Sequence, residues 1–90
     1  MIKSEISNIS YDFVLDACGL RCPRPMLLTK QRISNMTNPG TLLVIATDPS
    51  FIVDCRVFVR QTGHILLQSW QEGEKYFFVL QHKSERLEGM

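Results

Sequence analysis

The run Cys18-Gly-Leu-Arg-Cys22-Pro-Arg-Pro25 constrains this chain more than any other stretch. It joins a predicted strand, residues 11–16, to a predicted helix at about 26–35. Proline has no backbone N–H to give and fixes φ near the helical value, so it suits a first helical turn. Pro23 and Pro25 together occupy two of the four positions whose N–H groups lack a partner inside a helix. A residue before proline is pushed toward extended geometry. That rule places Cys22 outside the helix, as its cap. It applies to Arg24 as well, which leaves Pro25 as an alternative first helical residue. In either case the Cys22 sulfur is expected at the positive end of a helix dipole.

The position has chemical consequences. The thiolate is the nucleophile, and a helix N-terminus or a nearby cation lowers a cysteine pKa below roughly 8.5. Arg21 and Arg24 flank Cys22, and no acid occurs between Ala17 and Lys30. The dipole and free amides would also favour a persulfide anion held on the sulfur. A small buried hydrophobe is the simpler fate for a cysteine. A helix start needs no thiol, however, and Ser, Thr, Asp or Asn caps better. Cys22 is therefore the candidate reactive group, with Arg21, Pro23, Arg24 and Pro25 in support.

The remaining chain narrows the class. Ninety residues suffice for one core. A net charge of +1 lacks the basic excess that marks a nucleic-acid reader, so no direct nucleic-acid partner is expected. Residues 1–10 form a polar leader without a signal-peptide core. No apolar run approaches the roughly 20 residues of a membrane span. The expected setting is the cytoplasm, without a membrane partner. Three cysteines there do not make a disulfide framework, and their spacing with His64 and His82 provides no zinc ligand set. No metal or cofactor is expected.

Alternation of Tyr11, Phe13 and Leu15 with Asp12, Val14 and Asp16 gives the first strand one preferred face. Met26, Thr29, Ile33 and Met36 form the apolar stripe of the first helix, which Asn38-Pro39-Gly40 ends. Residues 41–47 are a continuous apolar run, the mark of a central strand. Asp48 and Pro49 then start a second helix as N-cap and first helical residue. Phe51, Cys55, Phe58 and Thr62 line its inner face, and Gly63 stops it. Cys55 is expected in the core. Two β-prone runs, 65–71 and 76–82, flank a hairpin signal at Glu72-Gly73-Glu74. The order βαβαββ predicts an α+β two-layer sandwich, with two helices packed on one face of a four-stranded mixed sheet. The other face is left uncovered. The domain spans 11–83, and 84–90 is a charged tail expected to fray.

These residues also carry a resemblance. Leu15-Asp16-Ala17, then Gly19-Leu20-x-Cys22-Pro23-x-Pro25, with Asn38-Pro39-Gly40 and Asp48-Pro49 downstream, resembles the TusA/SirA-like family of sulfur carriers. The likeness covers about residues 11–83. It implies a two-layer βαβαββ domain and a persulfide on Cys22, taken from a cysteine desulfurase and handed to a downstream sulfur-relay protein. Family routes include 2-thiouridine formation in tRNA, as well as sulfur oxidation, molybdenum-cofactor and selenium pathways. It also implies a co-substrate of partner enzymes, of sulfurtransferase type. Two other readings stay open. One is a regulatory module without chemistry, using a patch at Val53 and Val57. The other is a thiol redox protein pairing Cys22 with Cys18.

Overall fold

The computed structural model describes residues 11–36 and 40–83. The proposed leader 1–10, the tail 84–90 and the Asn38-Pro39 part of the turn lie outside the described residues. Six elements follow in chain order: β1 (Phe13–Ala17), α1 (Arg24–Ser34), β2 (Thr41–Ala46), α2 (Ser50–Thr62), β3 (Ile65–Glu72) and β4 (Lys75–Gln81). The sheet order is β1-β2-β4-β3. β1 and β2 run parallel, whereas β4 pairs antiparallel with both β2 and β3. This is the expected α+β arrangement.

Register explains the apolar run of β2. Leu42, Val44 and Ala46 face the helices and share a core with Met26, Ile33, Phe51, Cys55, Phe58, Phe78 and Leu80. The intervening Leu43 joins Phe77 and Val79 on the opposite face. Tyr11, Ile45 and Trp70 pack against that second cluster, and the Trp70 ring stacks parallel to Phe77 at 4.9 Å. Both faces of β2 are therefore apolar because each meets a cluster.

The helices bury the stripes that their spacing predicts. Pro25, Met26, Thr29 and Ile33 are the buried residues of α1, and Phe51, Cys55 and Phe58 those of α2. Buried Thr29 satisfies its hydroxyl by donating to the Pro25 carbonyl at 2.8 Å. Phe51 meets Phe78 edge-on, with ring centroids 5.1 Å apart. At the end of α2, Gly63 adopts φ 92°, and its N–H donates to the Val59 carbonyl at 2.9 Å. Only glycine takes that left-handed cap without a Cβ penalty.

The expected single face of the first strand does not extend to Tyr11. Regular pairing begins at Phe13, because Asp12 is diverted to bind Thr41. The Asp12 N–H donates to the Thr41 carbonyl at 3.0 Å, and the Thr41 N–H donates to Asp12 Oδ2 at 2.9 Å. Tyr11 consequently packs with the second cluster, while Leu15 packs with the first. Arg32 also departs from a purely solvated role. It donates to the Val14 carbonyl at 3.3 Å, occupying an acceptor along the edge strand β1.

Candidate functional site

Parallel pairing of β1 and β2 brings their C-terminal ends to one edge of the sheet. The loops that start α1 and α2 meet there. Gly19 turns the first loop with φ 83°, a conformation that a side chain would strain. Its N–H donates to Thr47 Oγ1 at 2.8 Å, tying the two loops together. The Leu20 N–H donates to the Ala17 carbonyl at 3.3 Å, which closes the turn after β1. Between the loops lies an open cleft of about 460 Å³ lined by Gly19, Leu20, Arg21, Thr47, Asp48 and Pro49.

Asp48 is the second tie. Its Oδ2 accepts the Cys22 N–H at 2.5 Å, and its Oδ1 accepts the Ser50 N–H at 3.1 Å and hydroxyl at 3.2 Å. The cap expectation shifts by one residue here, since Pro49 stands at the N-cap and α2 begins at Ser50, but the Asp48 carboxylate just ahead still serves that start and anchors the cysteine loop as well. The backbone bonds from Cys22 and Ser50, with a smaller contribution from Arg21, hold Asp48 below the usual carboxylate range. Arg21 therefore acts on Asp48.

Cys22 itself is exposed, while Cys18 is half-buried and Cys55 fully buried. The cap expectation needs correction by one residue. Pro23 stands at the N-cap with φ −99°, and α1 begins at Arg24, so Cys22 precedes the cap. The Arg24 N–H donates to the Arg21 carbonyl at 2.9 Å, a turn that brings Arg24 into helical geometry despite the following proline. The peptide bond between Cys22 and Pro23 is cis. Arg24 is exposed on the first turn, and Pro25 is buried beneath it.

A larger correction concerns the charge around the sulfur. Cys22 Sγ donates to Asp54 Oδ2 at 3.6 Å. Local desolvation, then the Asp54 hydrogen bond and the charges of Asp54 and Asp48, push the Cys22 thiol above its ordinary pKa. The expected depression by a helix dipole and two arginines is thus overridden. The Cys22 amide is taken by Asp48. Both acids come from a segment remote in sequence, so inspection of the residues beside Cys22 misses them. The available signal was topological: parallel β1 and β2 require both helix starts at one sheet edge, and Asp54 follows Asp48 along the second.

The other thiols differ in kind. Burial pushes Cys55 up to about 12, and it lies within the helix-side core. Desolvation and Asp16 push Cys18 up; its N–H donates to Asp16 Oδ1 at 3.0 Å. Among the described residues, no group of three His, Cys, Asp or Glu side chains is placed to hold a metal ion. No described helix is long and apolar enough to cross a membrane.

Fold and site together define a small two-layer α+β domain that presents one exposed cysteine between two helix starts. The family described as Sulfurtransferase TusA matches residues 13–82. A sulfur carrier protein TusA of Allochromatium vinosum is 43% identical over 70 residues, covering 78% of this chain and 92% of that protein. A sulfur carrier protein TusA of Pseudomonas putida strain GB-1 is 36% identical over 80 residues, covering 89% of this chain and all of the relative. The crystal structure of a SirA-like protein from Desulfitobacterium hafniense shares the fold with a TM-score of 0.70 at 14% identity. It covers 78% of this chain and 96% of its own. The chain belongs to the TusA family.

Proposed function

We propose that this protein carries sulfane sulfur as a persulfide on Cys22. The observation that carries the reading is the contrast among the three thiols. Cys22 alone is exposed, and it stands in the loop that Asp48 and Thr47 fix to the sheet edge. Membership of a family whose relatives are named sulfur carriers supports the same assignment.

In the loading step, Cys22 Sγ attacks the outer sulfur of a cysteine desulfurase persulfide. The new bond joins Sγ to that outer sulfur, and the old sulfur–sulfur bond breaks toward the desulfurase, whose cysteine leaves as thiolate and takes the proton that Cys22 gives up. The desulfurase cysteine sulfur is reduced by the two electrons that the Cys22 sulfur loses, while the transferred sulfur keeps its oxidation level, so no outside oxidant is needed. Delivery repeats the exchange toward a downstream thiol, and 2-thiouridine formation in tRNA is one route it would feed. The protein then acts as a cytoplasmic co-substrate, without cofactor or direct nucleic-acid contact. Its chain supplies a loop tied at Thr47 and Asp48, an accessible sulfur and an open cleft next to that loop.

Incubation with a desulfurase and cysteine tests the reading by intact mass. Wild type should gain about 32 Da per sulfur atom accepted by thiol exchange. Cys18→Ser and Cys55→Ser should gain it too, and Cys22→Ser should not. Loss of loading in Cys18→Ser with appearance of a Cys18–Cys22 disulfide in wild type would favour the redox reading.

A further inference from the structure

The contact between Cys22 and Asp54 has no evident structural purpose. Asp54 reaches the sulfur from α2, at 3.6 Å, while Asp48 at the head of the same helix takes the Cys22 amide. An uncharged acceptor such as Asn would receive the S–H as well, and an exposed polar contact adds little stability. What the carboxylate adds is negative charge beside the sulfur. The charges that act on Cys22 are those of Asp54 and Asp48 from the α2 side, while Arg21 and Arg24 flank it in sequence. The charge of Arg21 acts on Asp48, where it helps to hold the carboxyl down.

We propose that Asp54 is a positioning residue that governs the charge on Cys22, keeping the empty cysteine a neutral thiol and making the loaded one a poor leaving group. The proposal rests on the carrier reading for its second half. When any nucleophile removes the outer sulfur, that sulfur bonds to the nucleophile and its bond to Sγ breaks. The electron pair stays on Sγ, so Cys22 is reduced to a thiolate while the nucleophile is oxidised by the same two electrons. That thiolate forms next to the Asp54 carboxylate. Repulsion between the two charges opposes the step, as a leaving thiol of higher pKa departs more slowly. The pKa elevation at Cys22 has the matching direction. Asp54 therefore slows loss of sulfur to any nucleophile that leaves its carboxylate beside the sulfur, small adventitious ones included, and the neutral thiol of the empty state resists oxidation, which follows thiolate character.

Two measurements on wild type, Asp54→Asn and Asp54→Glu test this. The first is the pH profile of iodoacetamide alkylation at Cys22, followed by peptide mass. The second is thiocyanate release when cyanide is added to desulfurase-loaded protein, where cyanide takes the outer sulfur and Cys22 is left reduced. Asp54→Asn should shift the profile to lower pH and release thiocyanate severalfold faster, and Asp54→Glu should restore both. An unshifted profile in Asp54→Asn overturns the proposal. A shifted profile with wild-type thiocyanate release overturns the retention role. If wild type never loads, the carrier reading fails, while the alkylation profile still decides whether Asp54 governs the thiol.

Discussion

Cys55 lies in the helix-side core, and burial pushes its thiol up to about 12. At pH 8 a thiol of that pKa is ionised in about one molecule in ten thousand, and the thiolate is the form that reacts with iodoacetamide. The sulfur is also fully shielded by its neighbours, so labelling requires that α2 lift from the sheet. A local opening of about 3 kcal/mol alone slows labelling by about a hundredfold. Cys22 is exposed and meets reagent without any opening. Alkylation of the folded protein at pH 8, followed by peptide mass mapping, should therefore modify Cys22 first and half-buried Cys18 more slowly. Cys55 should trail Cys22 by about a hundredfold or more. In denaturant the three should react at similar rates. Labelling of Cys55 alongside Cys22 in the folded state would refute the placement of α2 against the sheet and, with it, the claim that one thiol is presented.

Further consequences follow from the core and its edge. Phe51→Ala removes a fully buried ring packed edge-on to Phe78, and should cost about 3–5 kcal/mol by denaturant titration. Gly63→Ala forces a side chain into φ 92° and should cost about 1 kcal/mol in the same assay. His64 Nδ1 accepts the Lys83 N–H at 3.0 Å, and burial, with the charges of His82 and Lys83, lowers its pKa from 6.5 to about 4. A histidine depressed on folding stabilises the fold above pH 6.5, and that stability is lost as pH falls toward 4. Solvent screening reduces the effect to about 1–2 kcal/mol. The melting temperature should drop over that window, and the drop should shrink in His64→Gln.

The fold was legible because its determinants are local. Prolines at 23 and 49, the apolar stripes of the two helices and Gly63 each act within a turn or two of themselves. The apolar run at 41–47 announced a strand with two apolar faces, which the clusters on either side of β2 explain. Cys22 stood out in the same way, as a thiol where a cap residue would serve better. Its electrostatics were not legible, because Asp48 and Asp54 lie 26 and 32 residues away. Flanking arginines suggested an acidified thiol, but proximity in the chain says little about charge when another helix supplies a carboxylate at 3.6 Å. Tyr11 shows the same limit on a smaller scale. Its place in an alternating pattern counted for less than the long-range bonds between Asp12 and Thr41.

If sulfur passes through Cys22, sulfur from radiolabelled cysteine must rest on that residue on its way to an acceptor. A desulfurase charged from the labelled amino acid would be mixed with the protein, the protein re-isolated, and an acceptor thiol protein added. Label is expected on the peptide containing Cys22, lost completely from that peptide as the acceptor gains it, and absent from Cys22→Ser. Label that stays on the desulfurase, or that reaches the acceptor equally well through Cys22→Ser, would contradict it.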